Sequence, residues 1–230
     1  MEIMLKLELP QHGITGFICS AKESHVKQLS TSELISWNSK VNRRKKFDWL
    51  SARISAKIVL CEWLKQEHST NILPKEITIY NSSIGKPQIE WPLIIDAPIL
   101  SLSHKDGLGL AIISNTVYSG CDIEKVKNRH PIFTRYFLTP EELEFLYLYR
   151  DTLTSQVSFD VLETILWSAK ESVIKSIPSN NNVSFLEVVL TFEEVKSKMG
   201  ELKFSALEHL GKVKYFIFNS YVITIATIIK

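Results

Sequence analysis

Two acidic residues share one face of a predicted strand. The sequence Gly-Cys-Asp-Ile-Glu fills positions 120–124, and alternate side chains of a strand point to the same side, so Asp122 and Glu124 project together. Their carboxylates repel each other unless a cation lies between them, and oxygen ligands of this kind suit Mg²⁺. A solvated strand end carries similar acidic pairs without any ligand. Taken alone, the pair favours the solvated end, with a metal site as the alternative.

A helical segment further along the chain carries both a carboxylate and lysines. In Trp-Ser-Ala-Lys-Glu-Ser-Val-Ile-Lys, positions 167–175, Glu171 and Lys175 are four residues apart and therefore adjacent on a helix surface. They can form an ordinary surface ion pair. Alternatively, Glu171 supplies a third metal carboxylate while the lysines stabilise the charge of a transferred phosphate. The segment alone slightly favours the ion pair.

A strand that runs into a turn ends with polar side chains. The sequence Ser-Leu-Ser-His-Lys-Asp-Gly spans positions 101–107, which places Ser103 and His104 near the carboxyl end of the strand. A hydroxyl, an imidazole and backbone N–H groups at such a place can bind phosphate. A serine hydrolase is disfavoured because the serine lacks the Gly-x-Ser-x-Gly setting of that class.

Positive charge is concentrated ahead of a predicted long helix and in one tight turn. The residues concerned are Lys40, Arg43, Arg44, Lys45, Lys46, Arg53 and Lys86. A basic run is usually a solvated face, but Arg53 lies beside Ile54 within an apolar helical pattern. The whole chain has a formal charge of only +2, so its composition does not indicate a strongly basic nucleic-acid-binding protein.

The elements that must position these residues are strands and helices mixed along the chain. The 230 residues are 45% hydrophobic and 23% charged, values that exclude a disordered, collagen-like or coiled-coil protein and suit two modest domains. Strands are predicted at 3–9, 76–80, 99–103, 108–114 and 117–123 and in the last third of the chain, with helices at 47–66, 140–149 and 159–176. This pattern predicts an α+β protein with halves at 1–117 and 118–230.

Export and membrane insertion are not expected. Charges at Glu2, Lys6 and Glu8 interrupt the apolar core that a signal peptide needs, and no stretch has the roughly 18–20 apolar residues of a spanning helix. The three cysteines are widely spaced and fit free thiols in a reducing compartment. A cytoplasmic monomer is the resulting expectation.

Together, the motifs are far more specific than any one of them. Their order and spacing from about Lys40 to Lys175 resemble the 4′-phosphopantetheinyl transferases of the surfactin-synthetase-activating (Sfp) type. The resemblance implies a pseudo-dimer of two similar α+β halves with the active site in the cleft between them. It also implies nucleotide-binding basic residues in 1–117 and metal-binding carboxylates with a catalytic helix in 118–230.

The resemblance further implies a reaction and a role for each residue. Phosphopantetheine would move from coenzyme A to a serine hydroxyl of an acidic, helical acyl or peptidyl carrier protein, which would dock near residues 133–137. Mg²⁺ would be held by Asp122, Glu124 and Glu171. The catalytic residues would be Glu171, Lys175 and Lys170, and coenzyme A would be bound by Lys40, Arg43, Arg53, Lys86, Ser103 and His104.

Two other classes of protein remain as alternatives. One is a catalytically inactive protein that binds coenzyme A or a carrier, which the complete set of acidic residues and lysines argues against. The other is a nucleic-acid-binding module that uses residues 40–46. That module would leave Asp122, Glu124 and Glu171 unexplained, because carboxylates repel phosphates in the absence of a metal.

Overall fold

Antiparallel sheets covered by helices build the whole protein. The computed structural model describes residues 4–9, 12–151, 157–178, 183–192 and 195–229. The chain divides into two units, Met1–Val117 and Tyr118–Lys230. Each unit contains both helices and an antiparallel sheet, so the predicted α+β class is confirmed. Within the described ranges, no helix combines the length and the apolar character that crossing a membrane requires.

In its described residues, the amino-terminal unit contains a four-stranded sheet, a separate hairpin and two α-helices. Its elements are β1 (Met4–Leu9), β2 (Ile14–Ser20), α1 (Thr31–Ser39), α2 (Arg43–His68), β3 (Thr78–Asn81), β4 (Pro87–Glu90), β5 (Ile99–Lys105) and β6 (Leu108–Ser114). The sheet has the order β1-β2-β6-β5, and β3 pairs with β4. Position 3, the first residue of the predicted amino-terminal strand, lies outside the described residues.

Helix α2 packs on the sheet, mainly on β6 and β2. Its inner face contributes apolar residues such as Leu50, Val59 and Leu60, all fully buried. The helix approaches β6 so closely at Gly109 that an added Cβ would lie 2.0 Å from the carbonyl carbon of Ser51. Only a residue without a side chain fits between the two backbones there.

The carboxy-terminal unit contains one five-stranded sheet and three α-helices within its described residues. Its elements are β7 (Ser119–Lys125), α3 (Pro131–Thr134), α4 (Pro140–Asp151), α5 (Phe159–Ser176), β8 (Val188–Thr191), β9 (Met199–Ala206), β10 (His209–Phe218) and β11 (Tyr221–Ile228). The sheet has the order β7-β11-β10-β9-β8. Apolar residues of α5, among them Leu162, Leu166 and Val173, pack into its core.

A buried ion pair joins helix, strand and turn in the amino-terminal unit. Glu33 near the start of α1 lies 2.8 Å from the ammonium of Lys57 on α2. Its carboxylate also accepts backbone N–H bonds from Ser30 at 2.8 Å and from Ile79 of β3 at 3.2 Å. Lys57 donates further to the carbonyl of Pro74 at 2.7 Å. These bonds satisfy both charges, which is the condition for burying them.

The carboxy-terminal unit repeats this arrangement with different residues. Glu142 near the start of α4 lies 2.6 Å from the ammonium of Lys170 on α5. The carboxylate accepts N–H bonds from Thr139 and from Leu190 of β8, each at 2.8 Å, and Lys170 donates to the carbonyl of Phe185 at 3.0 Å. The two units therefore share one local design, in which a buried lysine of the long helix ties a helix start to a strand.

Candidate active site

The face of β7 that carries Asp122 is turned towards α5. At Gly120, two residues earlier on the same face, an added Cβ would lie 2.1 Å from the carbonyl oxygen of Ser172 in α5. Asp122 itself is only 4% exposed. One of its oxygens accepts a 2.9 Å bond from the hydroxyl of Ser168, and the other accepts a 2.7 Å bond from the ammonium of Lys175. Strand and helix thus meet at a buried carboxylate.

Lys175 is the cation of this cluster, and its side chain remains 29% exposed. Burial by itself lowers the pKa of an ammonium. For Lys175, burial is the largest single influence, but the charges of Asp122, Cys121 and Glu171 and the hydrogen bond to Asp122 together outweigh it, so the pKa is raised above its ordinary value. The residue therefore stays charged at neutral pH and presents a positive charge at the edge of the cluster.

The two other predicted metal ligands lie on the same elements as this cluster. Glu124 is half-buried and follows Asp122 on the same face of β7, while Glu171 is half-buried on α5, four residues before Lys175. Across the parts of the chain that the structure describes, no three His, Cys, Asp or Glu side chains gather as a metal-binding group. The donor set nevertheless fits Mg²⁺, because paired carboxylate oxygens on one strand face are ligands that this ion accepts.

Lys170 lies away from the carboxylate cluster. A helix turns by about 100° per residue, so a position two residues after Ser168 lies on roughly the opposite side of α5. The structure places Lys170 there, fully buried and paired with Glu142. Burial lowers the pKa of Lys170, and the charge and hydrogen bond of Glu142 oppose this. Its contacts are those of a residue that holds α4 and α5 together.

The amino-terminal unit has no acidic counterpart of Asp122 in the corresponding contact. There, Ser55 of α2 precedes the buried lysine by two residues, as Ser168 does in α5. Its hydroxyl lies 3.1 Å from the thiol of Cys19 on β2, whereas Ser168 contacts a carboxylate. The acidic chemistry is thus confined to one of the two similar local arrangements.

Arg53 is a buried cation of the amino-terminal unit. It is 7% exposed, its guanidinium carbon lies 5.0 Å from the ring centre of Trp49, and it donates a 3.3 Å bond to Asn81. Burial lowers its pKa to about 10, although the charge of Glu33 partly opposes the shift. A buried guanidinium that faces an aromatic ring and an amide, while Glu33 is engaged by Lys57, is suited to receive an anion.

The other predicted nucleotide-binding cations lie at separate places in this unit. Lys40 lies 5.1 Å from the ring centre of Trp49, so that ring is contacted by two cations. Arg43 is the exposed first residue of α2. Lys86 lies in the β3–β4 turn, where the backbone of Ser82 donates a 2.8 Å bond to its carbonyl, and partial burial lowers its pKa.

Ser103 and His104 lie in the last three residues of β5, as predicted. Ser103 is buried and His104 is exposed. The turn that follows them is fixed to α2, because Asp48 accepts a 2.5 Å bond from the backbone of Gly107 and Ser51 donates a 2.7 Å bond to its carbonyl. The end of β5 is therefore held by the same helix that carries Arg53.

Sequence reasoning missed two residues that shape these sites. Ser168 lies inside the Trp-Ser-x-Lys-Glu motif, yet only the packing of α5 on β7 shows that it bonds to Asp122. Trp49 precedes Arg53 by four residues, a spacing that places them together on a helix. That spacing was the available indication of the ring–cation contact seen in the structure.

The predicted docking segment needs a correction. Exposed apolar side chains were predicted near residues 133–137, but Phe137 is fully buried and Phe133 packs against the same core. Their rings pack against Trp167 of α5, at centroid distances of 5.0 and 5.1 Å. The exposed apolar side chains of this segment are instead Ile132 and Tyr136. The aromatic rings turned inward because they fill the space beside α5.

Comparison with known families bears on the carboxy-terminal unit. Residues 119–226 match the family model of the 4′-phosphopantetheinyl transferase superfamily. The matched segment contains Asp122, Glu124, Glu171 and Lys175, and the match supports phosphopantetheine transfer as the general activity. The basic residues of the amino-terminal unit lie outside the segment that the family model matches. No curated protein matches the chain.

Proposed function

We propose that this protein is a Mg²⁺-dependent 4′-phosphopantetheinyl transferase of the surfactin-synthetase-activating type that converts an apo acyl or peptidyl carrier protein to its holo form. The observation that carries the proposal is the buried Asp122, bonded to Ser168 and Lys175, within the segment that matches the transferase superfamily. A surface ion pair between Glu171 and Lys175 would not require a buried strand carboxylate as the partner of the lysine.

The proposed reaction forms one P–O bond and breaks another. The hydroxyl oxygen of the carrier serine attacks the pyrophosphate phosphorus that bears pantetheine, and adenosine 3′,5′-bisphosphate leaves with the electron pair of the broken bond. The serine proton passes to Glu171, directly or through water, with Glu171 acting as the general base. Lys175 stabilises the charge that builds on the pyrophosphate oxygens, and its raised pKa keeps it protonated for that task.

Asp122 and Glu124, with Glu171, would hold Mg²⁺, which would neutralise pyrophosphate oxygens when bound. Ser168 then orients Asp122, because its hydroxyl fixes one carboxylate oxygen at 2.9 Å. Nucleotide binding is assigned to the amino-terminal residues Arg53, Lys86, Ser103 and His104, with Lys40 and Arg43 as secondary contacts. Lys170 supports the fold of this unit through Glu142.

The proposed docking site for the carrier consists of the exposed side chains of Ile132 and Tyr136, which are 54% and 72% exposed. The exposed Arg135 lies between them in the sequence. Apolar groups flanking a cation suit an acidic helical partner, since charge guides the encounter and apolar contacts hold the complex.

The decisive experiment incubates the full chain with coenzyme A, Mg²⁺ and a panel of apo-carriers from fatty-acid, polyketide and nonribosomal-peptide systems. Intact mass should show addition of phosphopantetheine to at least one carrier. Asp122→Asn should abolish this addition, while Glu201→Gln, a surface carboxylate of the same unit paired with Lys212, should not.

The alternatives give different results in the same experiment. Binding of coenzyme A or of a carrier without any mass change would identify a catalytically inactive binding protein. Salt-sensitive binding to unrelated nucleic acids, with no transfer, would indicate the nucleic-acid module. Transfer by Asp122→Asn at the wild-type rate would contradict the assigned site.

A further inference from the structure

A further charged pair involving α5, between Arg129 and Glu163, takes no part in the proposed mechanism. Arg129 follows the end of β7 by four residues, and its side chain is 4% exposed. It donates a 2.7 Å hydrogen bond to the hydroxyl of Thr164 in α5. One of its nitrogens also lies 3.6 Å from a carboxylate oxygen of Glu163, whose side chain is 1% exposed. The contacts of Arg129 therefore fall on the amino-terminal half of the helix that carries Lys175.

This pair is unlike the two other buried ion pairs. Glu33 and Glu142 accept backbone N–H bonds, but among the described residues neither oxygen of Glu163 has a hydrogen-bond donor within reach. Burial raises the pKa of Glu163, while the positive charge of Arg129 opposes that shift. At 3.6 Å, Glu163 acts on Arg129 mainly through its charge, and the short directional bond of Arg129 is the one to Thr164.

The segment between β7 and α3 is attached at several points. The backbone N–H of Val126 donates to the carbonyl of Ser220 at 2.8 Å, which continues the end of the sheet. The side chain of Asn128 donates to Asp160 of α5 at 3.4 Å. Arg129 adds the strongest attachment to the helix, because its bond is short, charge-assisted and buried. The segment after Glu124 is therefore bound to the sheet at one end and to α5 at the other.

We infer that Arg129 is a positioning residue for the carboxylates of β7: by fixing residues 126–130 to Thr164 and Glu163, it holds the end of β7 in register with α5. The inference rests on the proposed function, because it concerns the strand that carries Asp122 and Glu124. These two residues and Lys175 must keep one geometry for metal and phosphate, and outer contacts that orient such ligands affect affinity strongly.

The test must separate positioning from simple stabilisation. Arg129→Met alone would leave the charge of Glu163 buried without its partner, and such a variant can fail to fold. The double variant Arg129→Met/Glu163→Gln removes both charges, and Thr164→Val removes only the directional bond. Glu33→Gln/Lys57→Met is the matched control, because it removes a buried ion pair from the other unit.

Two measurements report on positioning. Hydrogen exchange followed by mass spectrometry measures the protection of residues 125–130 in the ligand-free protein and requires no activity. Binding of Mn²⁺, a paramagnetic substitute for Mg²⁺, is measured by electron paramagnetic resonance with coenzyme A present. In both Arg129→Met/Glu163→Gln and Thr164→Val, we expect faster hydrogen exchange confined to this segment. We also expect a Mn²⁺ affinity lower by about ten-fold or more. The control variant should show neither effect.

The inference fails if exchange increases evenly over the carboxy-terminal unit, as general destabilisation would produce. It also fails if exchange increases locally while Mn²⁺ affinity and transfer rate stay at wild-type values. If the wild-type protein binds no Mn²⁺ and modifies no carrier, the proposed function is wrong. The exchange experiment then still decides whether Arg129 fixes the segment, since unchanged protection in Thr164→Val would overturn that statement.

Discussion

Lys175 donates a 2.7 Å hydrogen bond to Asp122, so the carboxylate proposed to hold Mg²⁺ already has a cationic partner inside the protein. The other oxygen of the same carboxylate is bound by Ser168. In this arrangement the charge of Asp122 is compensated before any ligand arrives. Metal binding must therefore share the carboxylate with Lys175 or displace its ammonium, which can then turn to a phosphate oxygen.

We predict that Lys175→Met destabilises the metal-free protein and enlarges its response to Mg²⁺. Asp122 would lose the cation that compensates its buried charge, at a cost of about 1–3 kcal/mol, below the full value for a buried pair because Lys175 is 29% exposed. Turnover should fall as well. Thermal unfolding with and without Mg²⁺ measures the first effect, and a Mg²⁺-induced shift no larger than in wild type would contradict it.

The pH dependence of this contribution follows from the direction of the pKa shift. Because the pKa of Lys175 is raised above 10.5 in the folded protein, the stabilisation is fully present below that value. It is lost as the pH rises through the higher pKa of the folded state. Wild type should therefore lose stability relative to Lys175→Met only in strongly alkaline solution.

Glu171→Gln tests the assignment of the general base. The substitution keeps the size of the side chain but removes its charge and basicity, so turnover should fall by about 10²–10⁴. Coenzyme A affinity should change much less. Steady-state kinetics and direct binding measure the two quantities, and Glu208→Gln, which changes a 76% exposed carboxylate, is the control. Near-wild-type turnover would show that Glu171 is not the general base and only forms an ion pair with Lys175.

Arg53→Met should stabilise the ligand-free protein while weakening its binding of coenzyme A. Burial lowers the pKa of Arg53 to about 10, so the folded state is penalised at every pH below about 10 and the penalty shrinks as the pH rises above that value. Removing the charge should gain about 1–3 kcal/mol, after loss of the contact with Trp49. Denaturant unfolding measures the gain.

A matched control for Arg53 is Lys46→Met, because Lys46 also lies over an aromatic ring, 4.2 Å from the centre of Trp37. It should give no such gain. Binding should separate the residues further: Arg53→Met should weaken coenzyme A more than an analogue without the 3′-phosphate. Equal losses for the two ligands would show that Arg53 does not contact that phosphate.

The two repeated ion pairs give a prediction about stability. Lys57→Met and Lys170→Met each leave a buried carboxylate without its cation and should cost about 3–5 kcal/mol. The double variants Glu33→Gln/Lys57→Met and Glu142→Gln/Lys170→Met should recover much of that loss, as equilibrium unfolding would show. The turnover of the two double variants decides the role of Lys170. If only Glu142→Gln/Lys170→Met loses turnover, Lys170 takes part in the reaction.

Much of the secondary structure could be predicted because apolar periodicity is local. The pattern over Phe159–Ser176 gave the limits of α5 as observed. Helix α2 begins four residues before the predicted start, since Asn42 caps it by accepting the N–H of Lys45. Helix α1 was missed: of its nine residues only Glu33 and Trp37 are buried, and the indication was the capping box formed with Ser30.

The sequence predicts only part of the candidate site. Alternation along a strand is a local property, so Asp122 and Glu124 could be placed on one face. Which side of α5 meets that face depends on tertiary packing. Both Lys170 and Lys175 were predicted to serve the reaction, and only the packed structure shows that Lys170 pairs with Glu142 and Lys175 with Asp122.

The contact at Gly120 determines how tolerant this region is to change. The backbones of β7 and α5 touch there, with room for no Cβ, so main-chain contact sets the distance between strand and helix at this point, two residues from Asp122. Substitutions on the exposed surface of α5 would leave that spacing unchanged, whereas a single added methyl group at position 120 would force β7 and α5 apart. The absence of a side chain at Gly120 therefore allows the close strand–helix packing beside which Lys175 bonds to Asp122.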